Sequence, residues 1–262
     1  MTAMLEGEVA IVSGGLGDIG RAIVLEMAKR GADVGFCDLR DDADAAGLIK
    51  QVQSLNRKAR YDRVDVSDHK AVWAWVDAVE KDLGTPTLII PNAAIVKMIR
   101  FNDLDVEYWR KELSVNLDGS FYMARAATQK LVAEDKPGRV VFVGSWAAHA
   151  VHIHIPAYCV GKAGLRMLAQ CMAAELAPNG ILVNEVAPGF VDAGLTAQLM
   201  NEVPGRREKA RQIVPIGAMI EADEVALQVA HLCDPNNRHM TGSTLLMDGG
   251  LSLFGPGGMR SE

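Results

Sequence analysis

Short runs rich in valine and isoleucine alternate along this chain with longer segments whose apolar residues recur every three to four positions. No other feature constrains the fold as strongly, because strand, helix and parallel strand form a crossover unit that must be covered on both sides. The runs predict about seven strands, at Val9–Ser13, Asp33–Asp38, Arg60–Val66, Leu88–Pro91, Arg139–Gly144, Ile181–Val186 and Thr244–Met247. Their continuous apolar character predicts burial on both faces, between two helical layers of one doubly wound α/β domain.

The intervening segments read as helices. From Ser67 to Leu83 the residues Val72, Val76, Val79 and Leu83 make one apolar stripe, which needs a sheet to cover it. Ser67 or Asp68 is placed to cap its start, and Gly84 and Pro86 end it. Further helical segments run from Asp103 to Glu134 and from Ala157 to Ala177, the latter closed by Pro178 and Gly180. The stretch 194–220 is charged and bounded by Pro and Gly, which predicts a small mobile flap over a site; a solvated helix pair is the alternative. Residues 255–262 read as a loose tail.

The first strand runs into Ser13, Gly14, Gly15, Leu16, Gly17, Asp18, Ile19 and Gly20, and then into a helix. Glycines at such a turn let backbone approach a pyrophosphate, and the free N–H groups of the helix start attract negative charge. A tight turn without a ligand reads the same in isolation. The next strand ends at Asp38, where a carboxylate can accept hydrogen bonds from the hydroxyls of an adenosine ribose.

Downstream, Tyr158 and Lys162 lie one helical turn apart and share a face. An ammonium there favours a tyrosinate; bringing a phenol from its ordinary value toward neutrality requires about 4 kcal/mol of such preference, and makes tyrosine a general acid or base. Ser145 follows a strand's carboxyl end, where open α/β sheets place their ligands, and its hydroxyl is placed to hold a reacting oxygen.

On these residues the chain resembles the short-chain dehydrogenase/reductases of the compact one-domain group. The resemblance covers residues 5–251 and rests on several motifs in order. They are the Ser13–Gly20 turn, Asp65 with Val66, Asn92-Ala93-Ala94, Asn116, Ser145, Tyr158-x-x-x-Lys162, Pro188 with Gly189, and the ending Thr241-Gly242 with Asp248-Gly249-Gly250. The implied fold is a single Rossmann-type domain. The resemblance implies that Tyr158 transfers the substrate proton, Lys162 lowers its pKa and binds the nicotinamide ribose, Ser145 orients the carbonyl or alcohol, and Asn116 holds a water in a proton relay. It further implies that Ser13, Gly14, Gly17, Asp18, Ile19 and Gly20 cradle the cofactor, while Asp38 and Leu39 meet its ribose. Asp65 and Val66 border the adenine, Asn92 and Ala93 line the groove, and Pro188, Gly189 and Val191 meet the carboxamide. Trp146, His152 and Phe190 are expected in the substrate pocket. A homotetramer is also implied.

Three positions depart from the family pattern: Asp18 stands at a glycine, Ala193 at a threonine and Ala218 at an arginine. Gly17 and Thr196 are placed to compensate for the first two. Asp18 is expected to cap the first helix with its side chain turned away from the ligand.

The remaining features narrow the function. Lys and Arg number 27 against 33 Asp and Glu, a net charge of -6, which argues against a nucleic-acid partner. Cys37, Cys159, Cys171 and Cys233 show no pairing or metal spacing, which fits a reducing cytoplasm. No secretory signal or membrane span is expected, the most apolar stretch being broken by His149, His152, His154 and Pro156. Those histidines are expected as polar lining rather than as metal ligands. The function expected is hydride transfer between NAD, favoured over NADP because Asp38 repels a 2′-phosphate although Arg40 is the rival feature, and a small-molecule secondary alcohol or ketone. A sugar or polyol leads, with a 3-oxoacyl thioester or lipid-like ketone as the alternative, and a catalytically silent dinucleotide-binding sensor or scaffold as the other class.

Overall fold

The computed structural model describes residues 4–194 and 205–253. All seven expected strands form one parallel sheet in the order β3-β2-β1-β4-β5-β6-β7. They are β1 (Val9–Ser13), β2 (Asp33–Asp38), β3 (Ala59–Arg63), β4 (Leu88–Ile90), β5 (Gly138–Val143), β6 (Ile181–Pro188) and β7 (Thr244–Met247). From β1 the chain first builds outward through β2 and β3, then returns to place β4 on the other side. The direction of winding reverses there, so the connections after β1 and β4 part and leave a crevice at the carboxyl edge.

The helices follow from side-chain alternation on the strands. Ala10 and Val12 face a core made with α1 (Asp18–Lys29), α2 (Asp42–Ser54) and a late helix, α8 (Ala222–Cys233). Val9 and Ile11 face the opposite core, made with α3 (His69–Leu83), α5 (Ser120–Ala133) and α6 (Pro156–Leu176). The valine stripe of α3 is buried as its spacing predicts, and Asp68 caps that helix by accepting from Lys70 N at 2.9 Å and Ala71 N at 3.4 Å. Gly84 closes it at φ +108°.

Three expectations need correction. β3 and β7 are half-buried rather than buried on both faces, because each has one neighbour and forms an edge. On β3 that edge carries Arg60, which pairs with Asp62 and with Asp82 of α3; charge on an edge strand also discourages pairing with other chains. The predicted helix from Asp103 to Glu134 is interrupted: α4 (Val106–Leu113) passes through a π-helical turn at Ser114–Gly119 before α5. Finally, β3 stops at Arg63, leaving Val64 and Val66 buried in the connection beyond it.

Of the expected flap, residues 195–204, including Thr196 and Met200, lie outside the described residues, as does the tail at 255–262. The part that is described includes α7 (Arg206–Ile213), which is fastened to the body. Arg207 and Arg211 reach Asp192 at 2.8 and 3.7 Å, Val191 bridges to Ile220, and Ala210 and Val214 are buried.

Candidate active site

A cavity of roughly 1060 Å³ opens at the carboxyl edge of the sheet, over the crevice. Its floor at one end is the glycine turn. Ser13, at the end of β1, accepts hydrogen bonds from Asn92 N at 3.0 Å and Ala93 N at 3.1 Å, and Asn92 Nδ2 donates to the carbonyls of Ser13 and Gly14. These bonds stitch β1 to β4 at the reversal point. Ser13 therefore acts behind the wall, whereas Gly14, Gly17, Asp18, Ile19, Gly20, Asn92 and Ala93 line it.

The glycines have distinct reasons. Gly14 has φ +64°, and a β-carbon there would come within 2.9 Å of Ala93 Cα; one on Gly20 would collide with the Gly14 carbonyl. Gly17 has only the Gly14 carbonyl near it, at 3.4 Å, so its backbone stays open toward the cavity. With first-turn N–H groups of α1 beside it, this cradle fits a pyrophosphate. The expected cap by Asp18 is absent: Gly17 is the N-cap, no side chain caps the helix, and Asp18 Oδ2 instead accepts from Gly194 N at 2.6 Å. An N1 side chain lies beyond the first-turn amides that an N-cap serves, and the chain after β6 brings another amide within reach.

Along the same groove, Asp38 is the most engaged carboxylate. It accepts from Leu16 N, Leu39 N and Arg40 N, and Arg40 closes on it with Nε at 3.2 Å and Nη2 at 3.3 Å. Leu39 stands exposed beside it, while Asp65 and Val66 form the facing wall. Asp65 is held by Ser67, whose backbone N–H and hydroxyl both donate to Oδ1.

Across the cavity, Ser145 follows β5 and starts a 3₁₀ turn at Trp146–Ala148, its Oγ accepting from Ala147 N at 3.1 Å. Tyr158 and Lys162 come from the first turns of α6. Lys162 Nζ lies 5.6 Å from the Tyr158 ring centre and donates to the Val143 carbonyl at 2.7 Å. Burial pushes the Tyr158 phenol up to about 12, opposed by its hydrogen bond with Ser145, and the Glu112 carboxyl adds to the rise. The expected lowering of the phenol is therefore not met in this geometry. Burial disfavours both charged forms, and it also lowers the Lys162 ammonium to about 8.

Asn116 sits in the π-helical turn, fully buried. Its side chain is spent on one neighbour: Oδ1 accepts from Ile95 N and Nδ2 donates to Ile95 O, both at 2.8 Å. Ile95 lines the cavity and Asn116 stands behind it, as a brace for the loop after β4. A π-bulge at such a point is common near functional sites.

Trp146, His152 and Phe190 do form one wall, edge to face, with ring centres 4.4 Å apart for Trp146 and His152 and 5.2 Å for Trp146 and Phe190. Pro188, Gly189 and Val191 complete it, Gly189 lying so close to Asp248 that a β-carbon would come within 2.8 Å of its Cα. His149 pairs with Arg166 at 2.9 Å, and the His154 carbonyl accepts from Ile99 N at 2.7 Å, so the three histidines have separate surroundings. Among the described residues no three His, Cys, Asp or Glu side chains gather as a metal site. Sequence reasoning missed Ile95 and Met98 of the loop after β4 and Tyr108 of α4, which also line the cavity, because no motif marks them. It also missed two buried carboxyls, Glu112 and Glu185. The signal for Glu185 was available: a single acid inside the run Ile181–Pro188, whose one other polar residue is Asn184.

A dinucleotide cradle at the reversal point, facing a serine, tyrosine and lysine set across one cavity, defines a nicotinamide-dependent class of enzyme. The chain belongs to the short-chain dehydrogenase/reductases. A family model described as enoyl-(acyl carrier protein) reductase matches residues 15–252. The chain is 33% identical over 245 residues to the short-chain dehydrogenase/reductase eriH of Hericium erinaceus, covering 92% of this chain and 96% of that protein. It is 28% identical over 248 residues to an L-rhamnose 1-dehydrogenase (NAD(P)(+)) of a Sphingomonas species, with coverage of 95% and 97%. A solved short-chain dehydrogenase/reductase from Mycobacterium marinum superposes with a TM-score of 0.89 at 27% identity, over 95% of this chain and 97% of that one. No helix among the described residues is long and apolar enough to cross a membrane.

Proposed function

We propose that the protein moves a hydride between NAD and a secondary alcohol or ketone. The observation that carries this reading is the placement of Ser145, Tyr158 and Lys162 together on the cavity wall, with the Lys162 ammonium 5.6 Å from the Tyr158 ring centre. In the oxidising direction Ser145 orients the substrate oxygen, and Tyr158 Oη takes the hydroxyl proton as the carbonyl forms. Bound nicotinamide supplies the hydride acceptor. Lys162 stabilises the tyrosinate by its charge and is placed to hold a ribose hydroxyl. Asn116 braces the wall, and any part it plays in a proton relay runs through its backbone. Asp38 supports NAD over NADP, since it ends β2 on the cavity wall and its charge repels a 2′-phosphate.

For the substrate, the wall supports the lipid-like reading. Trp146, Phe190, Met98 and Ile95 present apolar surface, with Val151 and Ile153 exposed at the mouth. Of the polar side chains that favour a sugar, His149 is engaged by Arg166, and Arg207 and Arg211 by Asp192, whereas His152 and His154 remain on the cavity wall. The sugar or polyol reading is kept as the second, because the relative acting on L-rhamnose is similar along nearly its whole length. A homotetramer in the cytoplasm completes the proposal, supported by the exposed Val160 and Met167 on one face of α6 and by four free cysteines.

The test is nicotinamide absorbance across cyclic and long-chain ketones, 3-oxoacyl thioesters, sugars and polyols, with NAD and NADP. Turnover of apolar ketones above all others supports the first substrate reading, and turnover of sugars alone supports the second. No turnover with any secondary alcohol or ketone would overturn the reaction class.

A further inference from the structure

Beneath the serine, tyrosine and lysine set lies a carboxyl group that the reaction above does not use. Glu185 is on β6, fully buried. Ile181 and Val183, four and two residues before it on the same face, join the core under α6, so alternation sends Glu185 toward that helix as well. β6 pairs with β5 in a register that sets Glu185 opposite Phe142 and Val186 opposite Val143. One carboxyl oxygen, Oε2, accepts from the Thr244 hydroxyl of β7 at 2.7 Å. The other, Oε1, has no hydrogen-bond partner and occupies the space that a side chain at Gly144 would need.

Two residues ahead of Ser145 are thus gripped from below. Lys162 Nζ holds the Val143 carbonyl, and the Glu185 carboxyl fills the volume beside Gly144, whose N–H donates to the Val186 carbonyl at 2.7 Å. A buried acid in this place costs desolvation, so an apolar residue would serve packing better. Its place on the side of β6 that packs under α6, the helix that carries Lys162, points to an electrostatic role.

We propose that Glu185 is a positioning residue of the proton-transfer site: it shapes the turn that presents Ser145 and supplies the negative charge that keeps Lys162 an ammonium. The inference rests on the reading of Ser145, Tyr158 and Lys162 as the reacting set. Burial raises the Glu185 carboxyl above its ordinary range, and the groups around it oppose that rise. Lys162 and Arg166 from α6 and the Thr244 hydroxyl from β7 all favour the carboxylate against the opposing effect of burial. In return, Glu185 is the one group that holds the Lys162 value up while burial lowers it. On β5 the neighbouring groups are the neutral backbone of Val143 and Gly144.

The test compares the pH dependence of kcat/KM in the wild type, Glu185→Gln and Thr244→Val, with lysine-selective NMR titration of the cofactor-free protein as a readout independent of turnover. Glu185→Gln keeps the shape and removes the charge, so Lys162 should titrate lower and the alkaline limb should fall about one to two pH units earlier, the range for loss of a close opposite charge. Thr244→Val, which leaves the acid but removes its donor, should move both readouts in the same direction by less. Unmoved limbs and an unmoved Lys162 titration in a folded Glu185→Gln protein overturn the proposal. Should that variant fail to fold, an unmoved Thr244→Val protein overturns it. Tyr158→Phe run alongside separates two failures. If Tyr158→Phe is inactive, an unmoved Glu185→Gln protein refutes the role of Glu185 alone; if Tyr158→Phe is active, the site reading falls and the role with it.

Discussion

Asp18 Oδ2 accepts a 2.6 Å hydrogen bond from the backbone N–H of Gly194, joining the first turn of α1 to a residue 176 positions away. Both residues wall the dinucleotide groove, so the negative charge that would face a pyrophosphate is directed onto the chain's own amide. A charge-assisted bond of this kind, together with an acid in a helix's first turn, contributes on the order of 1 kcal/mol at an exposed site. Asp18→Ala is expected to lower stability by about that amount and to change NAD affinity by less than about tenfold, or 1.4 kcal/mol. Chemical denaturation and isothermal titration check the two parts; strong tightening at unchanged stability would place the carboxylate against the phosphates.

Tyr158→Phe is expected to abolish nearly all turnover while leaving NAD binding within a few-fold, since the phenol moves a proton and does not hold the dinucleotide. Stopped-flow turnover and cofactor fluorescence measure these separately. Loss of both together would indicate a misfolded variant.

Cofactor choice is expected to turn on Asp38 and Arg40, whose guanidinium lies across both carboxylate oxygens. Asp38→Ala removes the acceptor of ribose hydroxyls and frees Arg40 for a 2′-phosphate. The ratio of kcat/KM for NAD over NADP should drop by about 10–100-fold, or 1.4–2.7 kcal/mol. An unchanged ratio would assign discrimination to other residues.

Glu112 offers a pH test that is independent of turnover. On α4 it is 2% exposed, Oε1 has no hydrogen-bond partner, and burial pushes its carboxyl from the ordinary 4.5 up to about 7. Because the folded value lies above the unfolded one, the stability of the protonated form is complete below about pH 4.5 and is lost as pH rises through 7. That gap corresponds to about 3 kcal/mol. Glu112→Gln should flatten the decline in unfolding free energy between pH 4.5 and about 7, the window set by the two values. An equal decline in both proteins would show that the carboxyl is not the cause.

The order of the elements was legible in the sequence because burial on a sheet or a helix repeats at short range. The Val and Ile runs marked β1, β2, β4 and β5, and the spacing of Val72, Val76 and Val79 marked the buried face of α3. Spacing also placed Tyr158 and Lys162 on one side of α6, and the glycine turn before α1. Those properties depend on residues a few positions apart. Tertiary structure decided what depends on partners far along the chain. Neighbour count made β3 an edge, where the Arg60 and Asp62 of its charged run can stand. Asn116 turned from the cavity to Ile95 because a π-helical turn aims it at the loop after β4. Asp18 found Gly194 rather than its own helix, and Glu185 came to lie under Gly144 through the pairing of β5 with β6. A local pattern specifies which face of an element is buried; only the packed sheet determines which distant groups meet there, and burial beside those groups sets their charges.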